Sequence, residues 1–212
     1  MTSVASSNSD RSTLALLRGI AARPPLHARL LNTISMLEYI GARKIMKSQR
    51  ADEFDLELLT HVSDEIKHAW LIKRMAAQLD ADGTGTYSAE CLLGGSEAEA
   101  YIQELDAAAK EELCGSSFEG SESWVNYLYT SLLIEERADQ FYGVYQGVLK
   151  DLGMDGPLKA LMKDESKHLA QMARKVQEVD PEGAERLARL REVERAGFEA
   201  FLGALWRELE AL

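Results

Sequence analysis

One pattern, D-E-x-K-H, occurs twice in the chain: Asp64-Glu65-Ile66-Lys67-His68 and Asp164-Glu165-Ser166-Lys167-His168. Within each copy the Glu and the His are three residues apart, so on a helix both side chains leave the same face. A carboxylate beside an imidazole is a donor pair for a transition metal. The chain has 4 histidines, and the two copies place two of them identically.

Acids also stand where a buried stripe calls for apolar residues. Glu38 lies between Ile34 and Ala42, Glu65 between Val62 and Ala69, and Glu165 between Leu161 and Met172, with His168 beside it. A carboxylate in such a place is strongly unfavourable unless it is paired or bound to a metal. A fourth helix offers two neighbours, Glu135 and Glu136. Leu128, Leu132, Glu135, Tyr142 and Leu149 fall near one stripe, whereas Glu136 falls with Gln140 and Gly143 on a more polar side, so Glu135 is the expected donor. Four acids on four helices need a shared partner. Glu38, Glu65, His68, Glu135, Glu165 and His168 together offer four carboxylates and two imidazoles, a set that suits two iron or manganese ions.

The residues around this set have expected roles too. Asp64 and Asp164 point off the ligand direction; each either accepts the other ring N–H of a ligand histidine or is an exposed acid. His61, one turn before Glu65, is expected to be a supporting or core-edge histidine rather than a seventh ligand. His27 reads as a surface residue at a helix start. Tyr142, two turns after Glu135, is expected to be a core tyrosine rather than an oxidisable residue near the metals, and Tyr39 and Tyr145 read the same way; Trp70, Phe141 and Met172 read as core filling.

These residues must be positioned by helices, since strand signals are nearly absent. Apolar spacing with Gly and Pro punctuation predicts long helices over about 26–49, 54–79, 122–150 and 157–179, a shorter one near 97–113, and a fifth amphipathic helix over about 183–210. That last helix could cover the bundle or make a homodimer. Short turns, at Arg50–Asp52 and at Lys150–Gly156, make two antiparallel hairpins, and a long link over roughly 80–121 joins them. Glu38 and Glu65 are nearly equidistant from the first turn, as Glu135 and Glu165 are from the second. All four acids therefore sit roughly 20 Å from a turn at about 1.5 Å per residue, at one level of a bundle.

Composition removes several function classes. The 212 residues carry a formal charge of −11, which argues against a nucleic-acid or anionic-membrane surface. Cys91 and Cys114 make no C-x-x-C pair, so no thiolate iron site is expected, and both read as reduced thiols. No apolar run is long enough to span a bilayer. The polar, Ser-rich start lacks a hydrophobic signal core. Residues 1–12 are expected to be a loose, disordered tail on a cytoplasmic protein.

Glu38, then Glu65-x-x-His68, then Glu135, then Glu165-x-x-His168 resembles the ligand series of the ferritin-like di-iron superfamily, over about 30–180. Within it, Ile134-Glu135-Glu136-Arg137 resembles the third-helix ligand region of the bacterial tRNA hydroxylase and aldehyde-deformylating oxygenase branches. Rubrerythrins usually add an iron–thiolate domain, which is missing here. Ribonucleotide reductase small subunits usually begin their ligand set with Asp, and storage ferritins usually lack two full E-x-x-H motifs. The resemblance implies an all-α, ferritin-like four-helix bundle with one long crossover containing a short helix and an extra C-terminal helix, a single domain over 13–212. It implies a small di-iron oxygenase or oxidase, with Mn/Fe as the other metal pairing. Such an enzyme would activate O2 or peroxide to oxidise a small organic substrate, with electrons from an external reductase. The alternatives are a ferroxidase or peroxide-scavenging, rubrerythrin-like iron protein, and a metal-stabilised bundle without enzymatic activity.

Overall fold

Apolar residues at helical spacing along almost the whole chain leave one way to bury them, helix against helix. The computed structural model describes residues 3–49, 54–115, 118, 121–181 and 183–211. Among them are seven α-helices and no strand: α1 (Ser3–Ala21), α2 (Pro24–Ser48), α3 (Leu56–Leu79), α4 (Gly95–Leu113), α5 (Glu122–Asp151), α6 (Gly156–Val179) and α7 (Ala184–Glu210). The turn expected at Arg50–Asp52 lies outside the described residues.

Local chemistry sets the helix ends. Proline opens α2 at a position where no N–H is needed. The Asp55 carboxylate caps α3 by accepting from Leu58 N at 2.8 Å. After α5, Gly153 takes a left-handed backbone (φ 70). Met154 N then donates to Leu149 O at 2.8 Å and Gly153 N to Lys150 O at 3.0 Å. This closes the helix with the two bonds that a glycine stop provides.

Helices α2 and α3 pack as one hairpin and α5 and α6 as another, with further packing of α3 on α6 and α2 on α5. The crossover from α3 to α5 carries two short 3-10 turns, Asp82–Thr84 and Ala89–Cys91, and then α4. Helix α7 lies along α4 and also meets α1 and α5, so it covers the bundle. Buried polar side chains of α2 pin the crossover: Asn32 Nδ2 donates to Thr86 O and Cys91 O, both at 2.8 Å, and Thr33 Oγ1 donates to Leu93 O at 2.8 Å.

Several expectations need correction. A helix over Ser3–Ala21 stands where a loose tail through residue 12 was expected. Its Leu16, Leu17 and Ile20 are fully buried, and burial against α2, α5 and α7 supplies what the Ser-rich start lacks in helix preference. His27 is buried, not at the surface, and its Nε2 lies 2.6 Å from Tyr145 Oη. Trp70 is 55% exposed, with Arg74 over its ring, rather than core filling. Tyr39 is also at the surface, stacked on Tyr87. Phe141, Met172, Tyr142 and Tyr145 are buried. Cys91 is buried and Cys114 exposed, both as free thiols.

The core divides in two. One apolar cluster includes Leu31, Ile34, Ile72, Phe141 and Leu161; the other includes Ile45, Leu58, Leu132, Met172 and Val176. On every helix of the two hairpins the acid singled out above falls between a member of one cluster and a member of the other. A polar layer thus crosses the bundle between two apolar ones.

Candidate metal centre

All six residues expected as donors meet in that layer. Ligand atoms of Glu38, Glu65, His68 and Glu165 lie within 4.8 Å of one another. A second group with the same spread joins His61, Glu65, Glu135 and His168. Glu65 belongs to both. Glu136, the rejected neighbour, instead faces outward and pairs with Arg191 at 2.7 Å. His61 is the residue that sequence reasoning set aside. Its Nε2 lies 3.2 Å from Glu135 Oε1 and 3.4 Å from Glu65 Oε1.

Four carboxylates in one dry layer repel each other. Burial, and then the charges of Glu165 and Glu65, push Glu38 well above the usual carboxylate range. Burial, and then Glu165, does the same to Glu135. Glu165 goes the other way: against the desolvation of its site, the imidazoles of His168 and His68 hold it low. Burial alone would lower both imidazoles, yet the Glu165 carboxylate beside them, with Glu65, raises His68 and His168. Without a cation, protons have to hold this cluster together.

The donor atoms fit a cation better than they fit each other. Both ring nitrogens of His68, His168 Nδ1 and Glu165 Oε1 are buried and make no well-formed hydrogen bond, although His68 Nδ1 is only 2.9 Å from Glu165 Oε1. Each buried polar atom left so costs about 1–3 kcal/mol. Imidazole nitrogens and carboxylate oxygens converging at this range satisfy one another through a shared metal ion, and the mix suits iron or manganese.

Behind the rings the two motifs cross over. His68 Nε2 lies 3.7 Å from Asp164 Oδ2, and His168 Nε2 lies 3.5 Å from Asp64 Oδ2. Each aspartate therefore stands as a counter-charge behind the histidine of the other copy, at a range longer than a good hydrogen bond. The motif lysines hold the aspartates: Lys67 Nζ is 3.4 Å from Asp164 Oδ2 and 3.7 Å from Asp64 Oδ1, and Lys167 Nζ is 2.8 Å from Asp164 Oδ1. The sequence showed the lysines as part of the repeat but not this role. Tyr142, expected as a core tyrosine rather than an oxidisable one near the metals, is buried and donates its hydroxyl to Glu38 Oε1.

Gly41 makes room for the shared ligand. It sits inside α2, three residues after Glu38, and a Cβ there would run into Glu65 Oε2. Gly41→Ala should split two properties. Metal-free thermal stability should hold or rise, because alanine is better than glycine inside a helix by about 1 kcal/mol. Metal affinity should fall about 10–100-fold as the Glu65 carboxylate is displaced. Thermal unfolding of the metal-free protein and calorimetric metal titration read the two separately.

Neither a family model, nor a curated protein, nor a solved structure matches this chain. The arrangement of the site itself therefore carries the functional reading.

A cavity of about 130 Å³ opens on the carboxylate side of the layer. Glu38, Glu65, Glu135 and Glu165 form part of its wall, as do His61 and Tyr142; apolar residues such as Ile34, Ile40, Ile134, Ala138, Phe141 and Phe198 line much of the rest. Two cations reach the wall, and both are paired. Lys44 Nζ binds Asp106 and, at 2.9 Å, Asn126 Oδ1, and burial pulls it down to about 8. Arg137 grips Glu194 through two bonds of 2.8 Å. The cavity is bounded by α4 and α7 as well as by the two hairpins, so the crossover and the C-terminal helix complete it.

Proposed function

We propose that this protein is a two-metal carboxylate oxidoreductase of the ferritin-like kind, binding two iron ions and oxidising a small organic substrate with O2 or peroxide. The observation that carries this reading is the apolar cavity against the carboxylate side of the ligand layer. A cavity of about 150 Å³ lined by aliphatic and aromatic groups holds a benzene-sized molecule, so an uncharged apolar group of that size is the natural occupant. When bound, the metal pair supplies the activation of oxygen.

The chain's own residues do the rest. Glu38, Glu65, His68, Glu135, Glu165 and His168 hold the ions. Asp64 and Asp164 stand behind the imidazoles as counter-charges, away from the cavity. Ile34, Ile134, Phe141 and Phe198 exclude water and orient the apolar group. The Tyr142 hydroxyl donates to Glu38 Oε1 and holds that carboxylate at the cavity wall. Electrons come from a separate reductase, since the chain shows no flavin, nicotinamide or iron–sulfur motif.

A ferroxidase has no use for an apolar cavity, and a metal-stabilised bundle has no use for oxygen reactivity. Metal analysis after anaerobic Fe(II) loading, followed by stopped-flow absorbance on mixing with O2, separates the readings. Two ions per chain and a transient visible band are expected. Ala138→Trp, which fills the cavity, should keep both while losing oxidation of a toluene probe. Fe(II) turnover far beyond two ions per chain, indifferent to Ala138→Trp, would move the assignment to ferroxidase. Bound metal inert to both O2 and peroxide would leave only the structural role.

A further inference from the structure

The two copies of the motif match over Asp, Glu, Lys and His, but not one turn earlier. Where the first copy has His61, the second has Leu161. Leu161 is buried among apolar neighbours. His61 is equally buried, yet it is a full member of the second donor group, within 4.8 Å of Glu65, Glu135 and His168 ligand atoms. Its ring lies 4.0 Å from that of His168, centroid to centroid. Its other nitrogen, Nδ1, is 3.1 Å from Tyr127 Oη. With Nδ1–H donating to that hydroxyl, Nε2 is left with a lone pair directed at Glu65 and Glu135, where a cation would sit.

We propose that His61 is a seventh ligand, and that it makes the two metal positions chemically unequal. This rests on the two-metal reading above. One position is built by Glu38, Glu65, His68 and Glu165, three carboxylates and one imidazole. The other is built by His61, Glu65, Glu135 and His168, two carboxylates and two imidazoles. Carboxylate-rich sites suit manganese, whereas imidazole favours iron, cobalt and the later ions. The ions therefore load in order: an iron- or cobalt-type ion enters the His61 side first, and the Glu38 side fills second and accepts Mn(II). The protein can in this way assemble a mixed pair from a mixed supply.

Co(II) reports each part of this without reference to activity. Titrated into the metal-free full-length protein, Co(II) should bind in two steps at least about tenfold apart. His61→Leu, which copies the other half of the repeat and its packing, should bring the steps within a few-fold by weakening the first. Wild-type protein carrying two Co(II) should show three hyperfine-shifted exchangeable imidazole N–H signals in its proton NMR spectrum, from His61, His68 and His168. This last measurement needs no variant and decides the matter if His61→Leu fails to fold. Two signals in the wild type, or unchanged steps in a folded His61→Leu, would overturn the seventh ligand while leaving the two-metal reading in place. No Co(II) uptake by the wild type would overturn both.

Discussion

Replacing Glu65 by alanine should empty both metal positions at once. Glu65 is the residue common to the two donor groups, so its loss strips a carboxylate from each. Glu38 and Glu135 each belong to one group, so Glu38→Ala and Glu135→Ala should each lose one ion and keep the other. Supporting residues alone change metal affinity about 10–100-fold, and removal of a direct shared ligand should exceed the upper figure at both positions. Elemental analysis after dialysis against a weak chelator gives the pattern: two ions for the wild type, one for each single-group variant, none for Glu65→Ala. Two ions retained in Glu65→Ala would sink the shared-ligand assignment.

Between pH 6.5 and 8, the metal-free protein should lose stability while the metal-dependent gain in stability grows. The sign follows from which form each group prefers when folded. Glu38 and Glu135 are raised above 4.5, and His68 and His168 above 6.5. A raised group binds its proton more tightly folded than unfolded. Its contribution is complete below the unfolded value and is lost as pH climbs through the folded one. Other groups limit the window. His27 is held down near 4 by burial, so it favours the folded state more as pH rises toward 6.5. Lys44, lowered to about 8, opposes the trend above that pH. Within the window the ligand cluster dominates, and a chain of this size loses about 2–4 °C of Tm per kcal/mol. Metal ions need the same donors deprotonated, so binding releases protons and tightens with pH. Thermal scans at pH 6.5, 7.2 and 8.0, with and without Fe(II) under argon, should diverge steadily. Parallel curves would mean that the buried acids do not hold protons in the metal's place.

Much of this site could be read from spacing because the helices are long and their interiors regular. Glu38, Glu65, Glu135 and Glu165 stood out as acids on apolar stripes, and equal distances from two turns put them at one level. Periodicity resolves a choice such as Glu135 against Glu136, because one residue of helix turns a side chain by about 100°. What escaped was set by tertiary partners. His61 was on the right face, but spacing alone cannot tell a donor from a core-edge histidine; the approach of Glu135 from another helix is what brings it into a donor group. His27 is buried because Tyr145 supplies its partner. Helix α1 has too little preference of its own and is helical because Leu16, Leu17 and Ile20 find a core. The buried Asn32 and Thr33 of α2 serve a crossover whose path has no period to read.

The crossing of the motifs has a bearing on assembly. Asp164 stands behind His68 and Asp64 behind His168, so each imidazole is flanked by an acid of the opposite hairpin. Each hairpin taken alone carries only part of either donor group. A complete donor group therefore exists only in the docked pair. An ion bound there would straddle the seam between the halves and hold them together. The repeat behaves as two interlocking keys, and the ion that the halves jointly hold is also the record that they have met.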